Sequence, residues 1–260
     1  KTISWMFAGT KFNRDLNGWD TSNITDMIAV FYGSHFNGNI SNWDTSNVKF
    51  MNVMFQNSHF KGNISGWNTS NVINMAGMFQ GTQFNGDLNR WDMSNVITTD
   101  NMFKDSKFNG NISGWNFKAL ASTEEMFCDS EFNRVISKWD VSNVHNMVHM
   151  FAGSKFNGDI SKWDVSGVDN MRNMFADSKF NGDISNWDVA NVRNMAGMFS
   201  NSAFNGDISR WDVSRVTDMC YMFSKAKFVG DISNWKINPY VSTTGMFAGC
   251  KIPKENRPKI

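Results

Sequence analysis

Tryptophan recurs every 24 residues without a slip, at Trp19, Trp43, Trp67, Trp91, Trp115, Trp139, Trp163, Trp187, Trp211 and Trp235. No insertion or deletion interrupts this ladder, and that regularity restricts the chain to one kind of architecture. A unit of this length cannot bury its apolar face alone. Copies must stack and bury it against one another, as in a solenoid. A propeller blade or a two-helix repeat needs a longer unit. Two phenylalanine columns keep the same period, one from Phe7 and one from Phe12, and together hold 21 of the 23 Phe. Only Phe50 and Phe117 fall outside them. The unit reads F-N-G-D-I-S-x-W-D-V-S-N-V-x-N-M-x-x-M-F-x-x-S-x.

Two shorter periods run inside the unit. Ile208, Trp211 and Val213 alternate with polar residues such as Asp212, the pattern of a half-buried strand. Val216, Met219, Met222 and Phe223 then fall on one face of a helix, with Ser214 placed to cap it. Phe204 to Asp207 reads as a turn. The expectation is an α/β solenoid with one short parallel strand and one short helix or helical turn per coil. Residues 1–11 form a partial opening repeat, 12–250 the ten-repeat solenoid, and 251–260 a basic tail or cap. The chain starts in mid-unit, which implies that it continues a longer array or is capped by another domain or subunit.

The spacing I-x-x-W-x-V-x-x-V-x-x-M-x-x-M-F-x-x-S resembles a leucine-rich repeat of the bacterial surface type. Met-Phe stands where that pattern has Ala-Phe. Ser or Thr stands at its Cys column, which Cys250 fills in the last coil. The fuller motif resembles the BspA-like surface-protein and mycoplasma-type lipoprotein repeats over residues 12 to 250. That resemblance implies a right-handed coil stack and a non-enzymatic adhesion or interaction protein of a cell, secreted or virion surface. In the leucine-rich alignment Trp sits at an inward strand position, which makes the ladder packed core and not an exposed sugar-stacking track.

Composition narrows the function classes. Lys plus Arg total 25 and Asp plus Glu 24, a balance unlike that of a nucleic-acid binder. Apolar runs are only a few residues long, so no helical membrane span is expected. Three Cys exclude a disulfide scaffold, and Cys128 and Cys220 lie almost four coils apart, too far to bridge. His145 and His149, four apart on the expected helix, lack the further ligands of a zinc site. Nearly every polar residue belongs to a column, whereas a catalytic site needs one-off groups converging at one place. No catalytic residue, cofactor or metal is therefore expected. Asn23, Asn39, Asn63, Asn68 and Asn111 stand in N-x-S/T patterns, which matter only in a eukaryotic host.

The candidate interaction face flanks the Trp ladder. After Trp stand Asp140, Asp164, Asp188 and Asp212 in four successive coils; before it stand Arg90, Lys138, Lys162 and Arg210. Lateral ion pairs between these rows would relieve repulsion among the aspartates. The Asp or Asn column before Ile, from Asp15 to Asp231, interchanges too freely for catalysis and suits a turn. The Asn column after the second Phe reads as an internal amide ladder. The repeat is poorest near residues 117 to 135, where Phe117 replaces Val, Thr99 and Thr123 interrupt the Met column, and Val135 replaces the turn Asp. A second candidate contact patch lies there. The partner expected is a surface protein or glycan. Self-packing in a virion or filament and carbohydrate-specific adhesion are the alternatives.

Overall fold

The computed structural model describes residues 1–259 as one continuous stack of coils. Ten isolated parallel bridges join equivalent residues of successive coils, from Thr2–Asp26 to Asp218–Ser242. Among the described residues the only helix is one 3-10 turn, Lys254–Asn256. The architecture is a repeat solenoid, but its coils differ from expectation. Neither the strand around each Trp nor the helix from Val216 to Phe223 forms.

Turns explain the misleading spacing. In one coil Trp67 N donates to Ile64 O (3.2 Å), Val72 N to Thr69 O (2.9 Å) and Met78 N to Met75 O (3.2 Å). The ends of each turn point inward, so buried residues fall three apart and imitate a helical face. Amides alternate in direction between those ends. Met75, Gly77, Phe79 and Gly81 donate to the carbonyls of Thr98, Asp100, Met102 and Lys104 in the next coil at 2.7–3.2 Å. Met78, Gln80 and Thr82 donate within their own coil. This stretch thus satisfies its backbone half laterally and half locally, as burial demands.

That alternation uses two left-handed residues per coil: Val53 and Asn57 (φ 51° and 55°), then Gly77 and Gly81 (63° and 68°), then Asn101 and Asp105 (58° and 55°). Left-handed residues four apart stop any right-handed helix. The second of these columns, from Gly33 to Gly249, holds Gly, Asn or Asp in every coil except at Lys225. Those are the residues that tolerate the conformation.

The core is an aromatic stack. Trp43 to Trp235 are 2–4% exposed, whereas Trp19 in the first coil is 41% exposed. Phe31 packs on Phe36 within its coil at 4.0 Å between centroids and on Phe55 of the next at 5.6 Å. Trp43 and Trp67 lie 6.3 Å apart with planes 3° from parallel. Hydrogen-bonded coils rise by about 4.8 Å. The longer centroid distances show rings sliding into the offset stacks that aromatic quadrupoles favour.

Each buried indole finds a backbone partner rather than a Ser or Thr hydroxyl. Trp139 Nε1 donates to Ile112 O at 3.1 Å, and the other indoles from Trp43 to Trp235 repeat this bond. The Ser/Thr column serves its own turn: Thr82 and Ser106 donate to Phe79 O and Phe103 O. The irregular coil is still packed. Phe117 is buried edge-on between Trp115 and Trp139. Thr99 and Thr123 donate to the sulfurs of Met126 and Met150.

Residues 251–259 fold across the last coil. Ile252 and Pro258 are buried, and Ile232 N donates to Asn256 O at 2.9 Å. Arg257 donates to Ile252 O and lies 5.1 Å over the Phe247 ring. No helix among the described residues is long and apolar enough to cross a membrane.

Candidate interaction face

The Trp ladder positions the face. Burying each indole turns its two sequence neighbours outward, so Arg90, Lys138, Lys162 and Arg210 are exposed beside Asp140, Asp164, Asp188 and Asp212. The aspartates are held by their own turns. Asp140 Oδ1 and Asp164 Oδ1 each accept from the backbone N–H and hydroxyl of the Ser two residues on. Asp188 accepts from Ala190 N and Asp212 from Ser214 N at 3.0–3.1 Å. Hydrogen bonds from Ser166 and Ser214 hold the carboxyls of Asp164 and Asp212 below the usual Asp range. Asn68 does the same work, accepting from Ser70 N at 3.0 Å, so the column tolerates an amide.

The expected ion pairs across Trp do not form. Among the described residues the ion pairs are Lys104–Glu125 (2.6 Å), Lys107–Glu131 (3.2 Å) and Lys155–Glu131. All three lie on other columns, around the irregular coil. Local Ser and backbone donors satisfy the aspartates without help from the cations. The side chains of Arg90, Lys138, Lys162 and Arg210 accordingly make no hydrogen bond or ion pair within the described residues.

The other polar columns are likewise structural. Asp159, Asp183, Asp207 and Asp231 each accept from the backbone N–H of the Ser two residues on, at 2.9 Å. Those bonds hold all four carboxyls low. Asn85 Oδ1 accepts from Asn109 N and Asn109 Oδ1 from Asn133 N, successive rungs of an amide ladder along the stack. Asn47, Asn71 and Asn95 donate to the preceding coil at Ser22, Ser46 and Ser70.

His145, His149 and the thiols do not converge on one site among the described residues. His149 is left-handed (φ 53°), so no helix aligns it with His145. Burial lowers its pKa, and its Nε2 lies 3.1 Å from Asn173 Nδ2. His145 Nδ1 instead meets Asn143 O. Cys128 is buried with Ala152 and Ala176, and burial followed by the Asp129 carboxylate pushes its thiol up to about 12. All three cysteines are free. Among the described residues no group of three His, Cys, Asp or Glu could hold a metal ion.

The irregular region carries the concavity that the sequence did not reveal. A groove of about 1040 Å³ opens between the coil of Asn109 and Asn111 and the coil of Arg134, Val135 and Lys138. Val135 is 64% exposed on its rim.

These coils define a class: a solenoid of 24-residue, turn-built repeats with an aromatic interior and a polar, column-ordered surface. The chain belongs to the family described as Mycoplasma protein of unknown function, DUF285, whose model matches residues 1–114, 56–131, 106–202 and 154–259. No curated protein and no solved structure matches it.

Proposed function

We propose that this chain is a non-enzymatic recognition module, displayed on a cell or virion surface, that binds a protein or glycan along the Trp-flanking edge of its coils. One observation carries the reading. The aspartates of that edge are occupied by turn capping, whereas Arg90, Lys138, Lys162 and Arg210 are exposed and bonded to nothing within the described chain. Charges without a structural partner are available to an outside one. The row extends over six coils, a length suited to an extended macromolecule and not to a small substrate. Binding by such a row is polar and salt-sensitive, since exposed charges are screened beyond about 10 Å at moderate ionic strength.

The test is Lys138→Glu, Lys162→Glu and Arg210→Glu together. Attachment of the purified chain to immobilised extracellular glycoproteins and glycans, at low and at high salt, should weaken strongly. Tm should change by only a few degrees, as surface substitutions away from structural features usually cost little. Normal attachment by the triple variant would remove this edge from consideration.

A further inference from the structure

The groove at Arg134 differs chemically from the one at the equivalent turns near the end of the stack. Near the end of the stack a groove of about 560 Å³ is lined by Asp207, Asp231 and their Ser neighbours, and both carboxyls are held low by backbone donors. In the irregular coil the matching positions are Asn111 and Val135, and Arg134 and Lys138 add two cations. Among the described residues no carboxylate lines this groove. The nearby Glu131 is bracketed by Lys107 and Lys155, which hold its carboxyl below the usual range.

The hydrogen-bonding polarity is equally one-sided. Asn85 Oδ1 and Asn109 Oδ1 are taken by the next coil's amides at 2.8 and 2.9 Å, and Asn111 Oδ1 by Ser113 N at 3.0 Å. Because those partners are backbone N–H groups, the amide oxygens must face them, and the three NH₂ groups are left over. Arg134 Nε donates to Asn109 O at 2.9 Å, which tethers the guanidinium at the groove. What remains toward solvent is rich in donors: three amide NH₂ groups, a guanidinium and an ammonium, beside the Ser113 hydroxyl, which can donate or accept.

Arg134 also breaks a steric rule. Eight coils carry Gly at this position, where a Cβ would come within 2.7–3.0 Å of the Phe ring two residues before it; besides Arg134 only Arg14, in the opening coil, departs from it. A departure from the local rule, here with one bond to Asn109 O in return, marks a functional position better than a column member does.

We propose that this groove binds an anionic saccharide, with sulfate or carboxylate oxygens on Arg134 and Lys138, sugar hydroxyls on the Asn amides, and an apolar ring face on Val135. The volume suits a short oligosaccharide. A donor-rich lining with two cations favours acceptor-rich, negatively charged ligands. The inference rests on the reading of the chain as a recognition module, but on a groove that meets the Trp-flanking edge only at Gly114 and Lys138.

The test uses the array's own consensus. Arg134→Gly with Val135→Asp restores the Gly-Asp found at residues 158–159, 182–183 and 206–207, so the variant should fold with unchanged Tm. Titration calorimetry would use a sulfated heparin hexasaccharide, its desulfated counterpart and a phosphopeptide of equal charge. The native chain should bind the sulfated sugar saturably. The double variant should bind it about tenfold or more weakly, the loss expected for one charge-assisted contact. The desulfated sugar and the phosphopeptide should both bind worse than the sulfated sugar. The proposal is overturned by no saturable binding, by a double variant of unchanged affinity, or by a phosphopeptide that binds as tightly. Lys162 and Arg210 lie outside the groove, so Lys162→Glu with Arg210→Glu should leave hexasaccharide affinity intact. That separates failure of the groove from failure of the edge.

Discussion

Replacing Trp139 by Ala probes the aromatic stack at mid-array. The side chain is 4% exposed. A buried Trp removes about 150–250 Å² from water, which at about 25 cal/mol per Å² amounts to roughly 4–6 kcal/mol. Large-to-small core substitutions at such sites cost about 3–5 kcal/mol. Two specific losses push toward the upper end. The ring stacks on Trp115 at 5.9 Å and Trp163 at 6.4 Å, with Phe117 edge-on at 5.0 Å. Ile112 O also loses its indole donor, worth about 1 kcal/mol if water cannot replace it. The estimate is therefore about 5 kcal/mol, a large share of the roughly 5–15 kcal/mol that holds a typical domain. Trp19→Ala supplies the internal control. That ring is already 41% exposed and stacks on Trp43 at 6.4 Å, so its loss should cost about 2 kcal/mol on the same area scale. Urea unfolding followed by far-ultraviolet circular dichroism measures both. In a stack held by nearest-neighbour contacts, the central lesion should also split or broaden the transition by uncoupling the two halves. Equal midpoint shifts for the two variants would refute the assignment of the ladder to the core.

Acid should destabilise the stack through its Asp turns. Asp44, Asp92, Asp164 and Asp212 are held below the ordinary value of 3.8 by Ser donors, so their contribution is full above that pH and is lost as pH falls through the lower folded value. Tm should drop below about pH 4, and less so in Asp164→Asn with Asp212→Asn, because Asn68 already makes the same turn without titrating; identical acid curves would exclude these turns as the cause. Lys61 interrupts the amide ladder between Asn37 and Asn85, and Lys61→Asn should add a rung to Asn85 N and raise stability by about 1 kcal/mol in urea titration. Under native conditions a thiol reagent followed by mass spectrometry should modify half-buried Cys220 well before Cys128, whose thiol sits near 12; early labelling of Cys128 would contradict its burial.

The period and the inward columns were legible because stacking forces apolar residues to repeat at one interval, and the Trp column and both Phe columns do so without a gap. The division into strand and helix was not legible from the same residues. Turns whose ends point inward put Val72, Met75 and Met78 three apart, as a helical face would. The discriminating signal lay in positions that looked variable. Gly33, Asn57, Gly81, Asp105 and Asp129 share only tolerance of positive φ, a property that apolar periodicity does not weigh. The indole partner was not legible for a related reason. Backbone carbonyls are invisible in a residue pattern, and it is Ile112 O and its equivalents that accept from the Trp ladder.

For the candidate site, an array of copies acts as its own control, and the two halves of the Trp-flanking strip separate on that basis. A residue type that recurs in nearly every coil and bonds its own turn, as Asp164 bonds Ser166, is explained by the coil it sits in. Its recurrence therefore says nothing about a partner. Arg90, Lys138, Lys162 and Arg210 occupy a column that elsewhere holds Gly or Asn, and among the described residues the coil gives them no hydrogen bond or ion pair. The same contrast marks Arg134, which stands in a column that holds Gly in eight coils and Arg only here and at Arg14, and which is tied to Asn109 O. Its replacement by the array's own Gly should leave folding untouched, because eight coils fold with Gly there. A change in binding without a change in Tm would then belong to recognition alone, and a fall in Tm would instead make Arg134 a clamp between coils.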